Sequence, residues 1–425
     1  MSDTLRTALR RTGDAAPVPR VADDTWTRGR RRRTLGRAGQ AAAVLLAVAV
    51  LAVVPSLLDS GSRPHQAGDT DRPGSLGTAY PWQARHHERP NGPAAAVFSV
   101  RDGSGETSAV VGRDGSYRLL DTPPGHSIGI VSPDGRLLAG PGRVVDLTDG
   151  TPHEIRSGGI PMAWSPDGRK LLLALFRSRD PDADPFLTDQ FTLYDIETRK
   201  EAVLLNGDSR TNTVVAFSPD GTRIAISVAQ DSLAPRVVVL DTATTATIGT
   251  IPLAAHQRLA GTAAWTPDGR SVALVADEKC ASGPCITRQE TYDGWHLQFA
   301  DPVTGAVADE KATGRSGRAQ GIAGWRGPVP VVVDGNPLDV DPFNPSLVLA
   351  LPDGTQQTLL TTPDGTRQLT VPRDLIENGT FADYRASPWD AQPWFYRSLG
   401  AGVLIAAALT ALGLWLRRRR SAAGR

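Results

Sequence analysis

Cys280 and Cys285 are the only cysteines, set in Cys-Ala-Ser-Gly-Pro-Cys. Outside the cytoplasm a short-loop disulfide closing a hairpin with Gly-Pro at its tip is the natural reading of such a pair. A metal pair would need further ligands, and no histidine lies at zinc-site spacing from either thiol. Asp180, Asp182 and Asp184 alternate like the start of a calcium loop, but Pro185 stands where an EF-hand needs glycine and no glutamate closes the loop. A solvated acidic loop is the reading that remains, and Asp334, Asp339 and Asp341 form a sparser group of the same kind. Gly125-His126-Ser127-Ile128-Gly129 matches the G-x-S-x-G nucleophile elbow, whose chemistry requires a strand-to-helix turn. A Pro-Asp-Gly turn follows within a few residues, so a strand is predicted there and no helix. The other histidines, His65, His86, His87, His153, His256 and His296, are scattered. No catalytic residue, metal site or cofactor is expected from these constellations.

The elements that would position such residues come from a repeated motif. Val131-Ser-Pro-Asp-Gly-Arg, Trp164-Ser-Pro-Asp-Gly-Arg, Phe217-Ser-Pro-Asp-Gly-Thr and Trp265-Thr-Pro-Asp-Gly-Arg each precede an apolar run, and Trp325-Arg-Gly-Pro-Val-Pro is a weaker copy without the turn core. Proline presets φ for the second position of a type I turn, aspartate bonds back to the backbone, and glycine accepts the left-handed conformation. Pro133-Asp134-Gly135, Pro166-Asp167-Gly168, Pro219-Asp220-Gly221 and Pro267-Asp268-Gly269 are therefore predicted to be tight β-turns joining two strands. A second hairpin follows each, as in Phe191-Thr-Leu-Tyr-Asp-Ile-Glu-Thr and Arg236-Val-Val-Val-Leu-Asp-Thr-Ala-Thr. Four strands per repeat is the count of a propeller blade.

At these residues the chain resembles the WD40-like repeats of TolB-type β-propellers. The resemblance implies an all-β fold with a tendency to bind partners, and it transfers no catalytic residue. The expected fold is a propeller over 93–375 with about six blades, seven being the alternative, flanked by two transmembrane helices. The first blade is read from Ala95 to Asp121, with Arg113-Asp114-Gly115 in place of the full turn. The connections between second and third strands are long at Arg177 to Asp189, Glu278 to Gly294 and Asp334 to Asn344, and should share one face. Long loops on a rigid scaffold are where binding concentrates, so that face is the expected partner surface.

Charge is sorted along the chain. The 46 basic and 45 acidic residues nearly cancel, but ten arginines face four aspartates in 1–37, and five arginines and no acid occupy 417–425. The region between carries ten more acids than bases, which argues against nucleic acid as a partner. The uncharged stretch 38–58 is long enough to cross a hydrocarbon core of about 30 Å. The second, 399–416, is framed by Trp394, Phe395 and Tyr396 and by Arg417 to Arg420. Arginine-rich flanks stay in the cytoplasm, so both termini are expected inside and the middle outside a cell membrane. A cleaved signal peptide and a twin-arginine signal at Arg32-Arg33 are the alternatives for the first stretch. Residues 59–92, rich in Gly, Pro and charge, read as a flexible linker, and 376–398 as a juxtamembrane segment. The first tail looks like tails of actinobacterial membrane proteins associated with sigma-factor regulation, and its plainer reading is a basic tail at anionic headgroups.

The expected function is non-enzymatic binding of a protein, peptide or glycan outside the cytoplasm. An enzyme with a propeller active site is the alternative; it should place carboxylates or histidines on several first strands, which instead read Met162-Ala-Trp, Val215-Ala-Phe and Ala263-Ala-Trp. A purely structural envelope protein is a third reading.

Overall fold

The computed structural model describes residues 73–422 apart from 103–104, 122–126, 176–186, 211–213, 231–232, 255, 278–294, 313–318, 336–343 and 352–353. Six sheets carry the described strands, each with four antiparallel strands, the sixth taking up two further short ones in parallel. In order along each sheet, the second runs Ile130–Val131, Leu137–Gly140, Arg143–Asp146, Pro152–Glu154, and the third Ile160–Trp164, Lys170–Leu175, Leu187–Asp195, Glu201–Arg210. The fourth is Val215–Phe217, Arg223–Gln230, Leu233–Asp241, Thr247–Pro252, and the fifth Gln257–Leu259, Val272–Asp277, Trp295–Ala300, Val307–Ala312. The sixth holds Ala319–Arg326, Val329–Asp334, Ser346–Ala350 and Gln356–Thr361. The first sheet is assembled from both ends of this region: Thr366–Thr370 pairs antiparallel with Ala94–Asp102, followed by Gly105–Gly112 and Tyr117–Leu120.

The second strands read as unbroken apolar runs because both their faces are covered. Leu171, Leu172 and Leu173 are all fully buried, as are Ile224, Ala225 and Ile226. Neighbouring sheets supply the cover. Ala94 and Val110 of the first sheet pack with Val131 and Leu138 of the second, and Ala139 and Val144 of the second with Leu171 and Leu173 of the third. Leu172 and Phe191 then meet Phe217 and Ile226 of the fourth. One cluster spans the fourth, fifth and sixth sheets through Val239, Trp265, Leu274 and Val332, and another returns from Val331 and Leu347 to Phe98 and Ala109 of the first. The sheets thus form a closed ring packed side by side, the arrangement of a β-propeller. Each large apolar side chain buried in this way contributes about 1.5–3 kcal/mol.

Two sequence expectations change. Arg113-Asp114-Gly115 joins the third and fourth strands of the first sheet, not the first and second, because the C-terminal strand Thr366–Thr370 takes the first place. In the stretch read as a linker, residues 73–92 are ordered: Gly74–Leu76 extends the sixth sheet, pairing parallel with Gln356–Thr361 on one side and with Asp383–Tyr384 on the other. Gln83, Ala84 and His86 in the same stretch are buried. A short helix, α1 (Arg373–Asn378), follows the closing strand and packs Ile376 into the core.

Among the described residues one helix is long and apolar enough to cross a membrane. It is α2 (Pro393–Ala422), whose span Trp394–Leu416 has mean hydropathy 2.1. Proline at its first position costs no hydrogen bond, and Arg419 lies over the Trp415 ring at 4.1 Å near its end. The other expected span, 38–58, lies outside the described residues, so one candidate helix stands where two were expected.

Candidate functional site

The four Pro-Asp-Gly turns are built alike. In the third sheet the Ser165 hydroxyl donates to Asp167 Oδ1 at 2.6 Å, Arg169 N–H donates to the same oxygen at 3.1 Å, and Lys170 N–H donates to Ser165 Oγ at 2.8 Å. Ser132/Asp134, Ser218/Asp220 and Thr266/Asp268 repeat the pattern with 2.6, 2.6 and 2.7 Å for the first bond. Each glycine closes its turn onto the Ser or Thr carbonyl in the left-handed region, with φ of 76°, 69°, 71° and 66° for Gly135, Gly168, Gly221 and Gly269. A second recurrent turn joins third to fourth strands. Asp195, Asp241 and Asp301 each accept at Oδ1 from the N–H three residues on, at 2.7 Å in every case, and Asp146 accepts from Thr148 N–H at 2.9 Å. The recurrence Asp-x-x-Thr is visible in the sequence and was the available signal for these turns.

Both kinds of turn lie on one face of the ring, and there the repeats also contact one another. A Cβ on Gly168 would meet Pro133 at 3.7 Å, on Gly221 Pro166 at 3.5 Å, and on Gly269 Pro219 at 3.7 Å, so each turn rests on the proline of the sheet before it. The motif tryptophans tie the sheets beneath. Trp164 Nε1 donates to Ile130 O at 3.0 Å, Trp265 Nε1 to Ala216 O at 3.0 Å and Trp325 Nε1 to Ala263 O at 2.8 Å.

The series breaks between the fifth and sixth sheets. Gly327, at the tip of the sixth turn, has nothing within 4 Å of a would-be Cβ. The strand position that holds Arg223 in the fourth sheet holds Ser271 in the fifth; both backbone N–H groups donate to the hydroxyl of their own turn, Arg223 to Ser218 Oγ at 2.9 Å and Ser271 to Thr266 Oγ1 at 3.0 Å. A cleft of about 700 Å³ opens there, lined by Ser271, Phe299 and Trp325 with Asp268, Asp301 and Gly327 around them. The Phe299 and Trp325 ring centroids are 6.5 Å apart. Hydrogen bonds from the Thr266 hydroxyl and Arg270 N–H hold Asp268 below the ordinary carboxylate pKa, and Thr304 and Val303 N–H groups do the same for Asp301. The cleft therefore joins an aromatic wall to two ionised carboxylates.

No family model and no curated protein matches the chain. Solved structures similar to it include TolB from Acinetobacter baumannii, at 17% identity and TM-score 0.42, covering 66% of this chain and 67% of that one. The β-propeller domain of the Trilobed protease from Pyrococcus furiosus is similar at 11% identity and TM-score 0.35, covering 63% and 71%. The acylaminoacyl peptidase from Pyrococcus horikoshii is similar at 13% identity and TM-score 0.35, covering 62% of this chain but 39% of that one. The likeness is one of fold.

Most of the candidate site residues singled out in the sequence lie outside the described residues. Cys280, Cys285, Asp180, Asp182, Asp184, Asp339 and Asp341 lie outside the described residues, and Asp334 ends a strand, opposite Ala319 and Ser346. Ser127 is exposed, accepts Gly129 N–H at 3.1 Å and leads into the strand Ile130–Val131, so no elbow forms around it. Among the described residues no three His, Cys, Asp or Glu side chains come together as a metal site. A second cavity of about 450 Å³ lies where the N-terminal segment crosses the first sheet, between Tyr80, Phe98, Thr107 and Arg385.

Proposed function

We propose that the chain is a non-enzymatic, membrane-anchored propeller of six blades that binds a protein, peptide or glycan outside the cytoplasm. The cleft between the fifth and sixth sheets supports this reading: one inter-sheet contact recurs at three successive junctions and stops at this one, leaving an aromatic surface beside two carboxylates. The apolar span Trp394–Leu416, with Arg417 to Arg420 after it, supports anchoring, and the arginines before 38–58 support cytoplasmic termini with the propeller outside. Two experiments test the reading. Protease added to intact spheroplasts should remove the middle of the chain and spare both tails; an untouched propeller overturns the topology. Crosslinked cells should yield one enriched partner that is lost when the cleft is filled, and enrichment indifferent to the cleft assigns binding elsewhere.

A further inference from the structure

The chain carries its own example of what fits beside a motif tryptophan. In the fourth sheet the Arg223 guanidinium lies over the Trp265 ring, 4.6 Å from its centroid, and its Nη2 donates to Gly269 O of the next turn at 2.7 Å. Three interactions meet there: a cation on an aromatic face, a directed hydrogen bond to a turn carbonyl, and the packing of a long apolar stem. One sheet further on the receiving half is retained. Trp325 is fixed as Trp265 is, through Nε1 to an alanine carbonyl just ahead of the preceding Pro-Asp-Gly turn. The donor half is gone, since Ser271 is too short to reach the ring. Arg326, the nearest arginine on the sixth turn, is turned away and donates to Ile376 O at 2.9 Å and Gly379 O at 2.8 Å at the end of α1. Arg270 is exposed and stands 3.8 Å from Asp268.

We propose that the cleft over Trp325 seats an arginine side chain of a polypeptide partner, in the way that Arg223 is seated over Trp265 within the chain. The proposal rests on the binding function above and specifies its ligand. Trp325 and Phe299 form the aromatic wall of the cleft, the Gly327 turn borders it, and Asp268 and Asp301 supply negative charge there, as Asp220 does beside Arg223 in the internal seat. Arginine suits this set better than lysine, because a planar guanidinium stacks on the indole and still donates at its edge, whereas an ammonium is a hydrated point charge. A glycan satisfies the aromatic wall but brings no cation to Asp301 or to Asp268, whose own ion pair with the exposed Arg270 is long at 3.8 Å.

The test uses the full-length protein in detergent with capped Gly-Arg-Gly, Gly-Lys-Gly and Gly-citrulline-Gly as probes, titrated by saturation-transfer NMR. The arginine peptide should bind roughly fivefold more tightly than the other two. Ser271→Arg should fill the seat from within, weakening Gly-Arg-Gly binding about tenfold while leaving Tm unchanged or higher. Equal binding of the three peptides by the wild-type protein overturns the proposal, whatever the variant does; so does a well-folded Ser271→Arg that binds Gly-Arg-Gly as before. Crosslinking separates this from the broader reading. A partner captured by wild type and Ser271→Arg alike, with no peptide selectivity, rejects the arginine seat and leaves extracytoplasmic binding standing. Peptide selectivity with no partner captured by wild type upholds the seat and rejects the broader reading.

Discussion

The buried guanidinium of Arg118, on the outermost strand of the first sheet, is paired with Asp390, 272 residues further along and three residues before α2. Arg118 also donates to Arg89 O and Tyr117 O, each at 2.7 Å, and Asp390 accepts from Arg89 at 2.9 Å. Beside this pair Tyr80, Trp82 and Phe395 stack in series, with centroids 4.9 and 5.2 Å apart. Removing one member of a buried ion pair leaves the other uncompensated. Asp390→Ala is expected to cost about 3–5 kcal/mol, and Asp390→Asn less because the amide oxygen still accepts. Denaturant midpoints of the two variants check this.

The indole bonds between sheets predict a graded series. Trp164→Phe, Trp265→Phe and Trp325→Phe keep most of the ring and remove the donor to Ile130, Ala216 and Ala263. A buried carbonyl left unsatisfied costs about 1–3 kcal/mol. Trp265→Phe also weakens the seat of Arg223, so it should cost the most, and thermal melts of the three proteins test the ranking.

In the turns between third and fourth strands, one position is always left-handed. It is glycine in Gly150 and Gly305 at φ of 78° and 71°, but Arg199 and Thr245 adopt 56° and 60°. A β-branched residue is strained there. Thr245→Gly is expected to stabilise the protein by about 0.5–1 kcal/mol, and Gly305→Thr to destabilise it by more, since its Cβ would also meet Thr250 O at 2.5 Å. Paired chemical denaturation decides both signs.

Acid should unfold the ring through its turns. Backbone N–H bonds hold Asp195, Asp241 and Asp301 below the ordinary carboxylate pKa, and the hydroxyls of Ser218 and Thr266 do so for Asp220 and Asp268. Burial opposes the shift at Asp146 and Asp167, where the hydrogen bonds of Thr148 and Ser165 prevail. A carboxyl whose pKa is lower folded than unfolded contributes stability that is complete above the unfolded value and is lost as pH falls through the folded one. Burial likewise lowers the pKa of His86, which has the same sign and acts first on acidification. Stability against pH should therefore fall gently below about 6.5 and steeply below about 4. His86→Gln should remove the gentle part, and urea midpoints between pH 3 and 8 would expose it.

The turns were legible because their chemistry is local: hydroxyl, ring, carboxylate and glycine act within six residues, and Ser165-Pro166-Asp167-Gly168 reads the same in sequence and in space. The closing strand was not. Thr366–Thr370 is short and polar at four of its five positions, and only its pairing with Val97 to Val100 reveals it as the first strand of the first sheet. Residues 73–92 hid for a related reason: their order comes from Tyr384, Asp390 and Gln392 far along the chain, not from any periodicity of their own. The cleft was hidden because an omission forms it. Ser271 is unremarkable until Arg223 is seen over Trp265.

Closing the ring with Thr366–Thr370 also orders events in time. A chain emerging from the ribosome completes its second to fifth sheets as it grows, each from consecutive strands. The first sheet waits with Phe98 on an unpaired edge until Thr366–Thr370 arrives. Long-range joining of this kind is intrinsically slow and leaves an open edge exposed meanwhile. A truncation just short of Thr366 should aggregate, because Val97 to Val100 then keep an open strand edge that other copies can pair with.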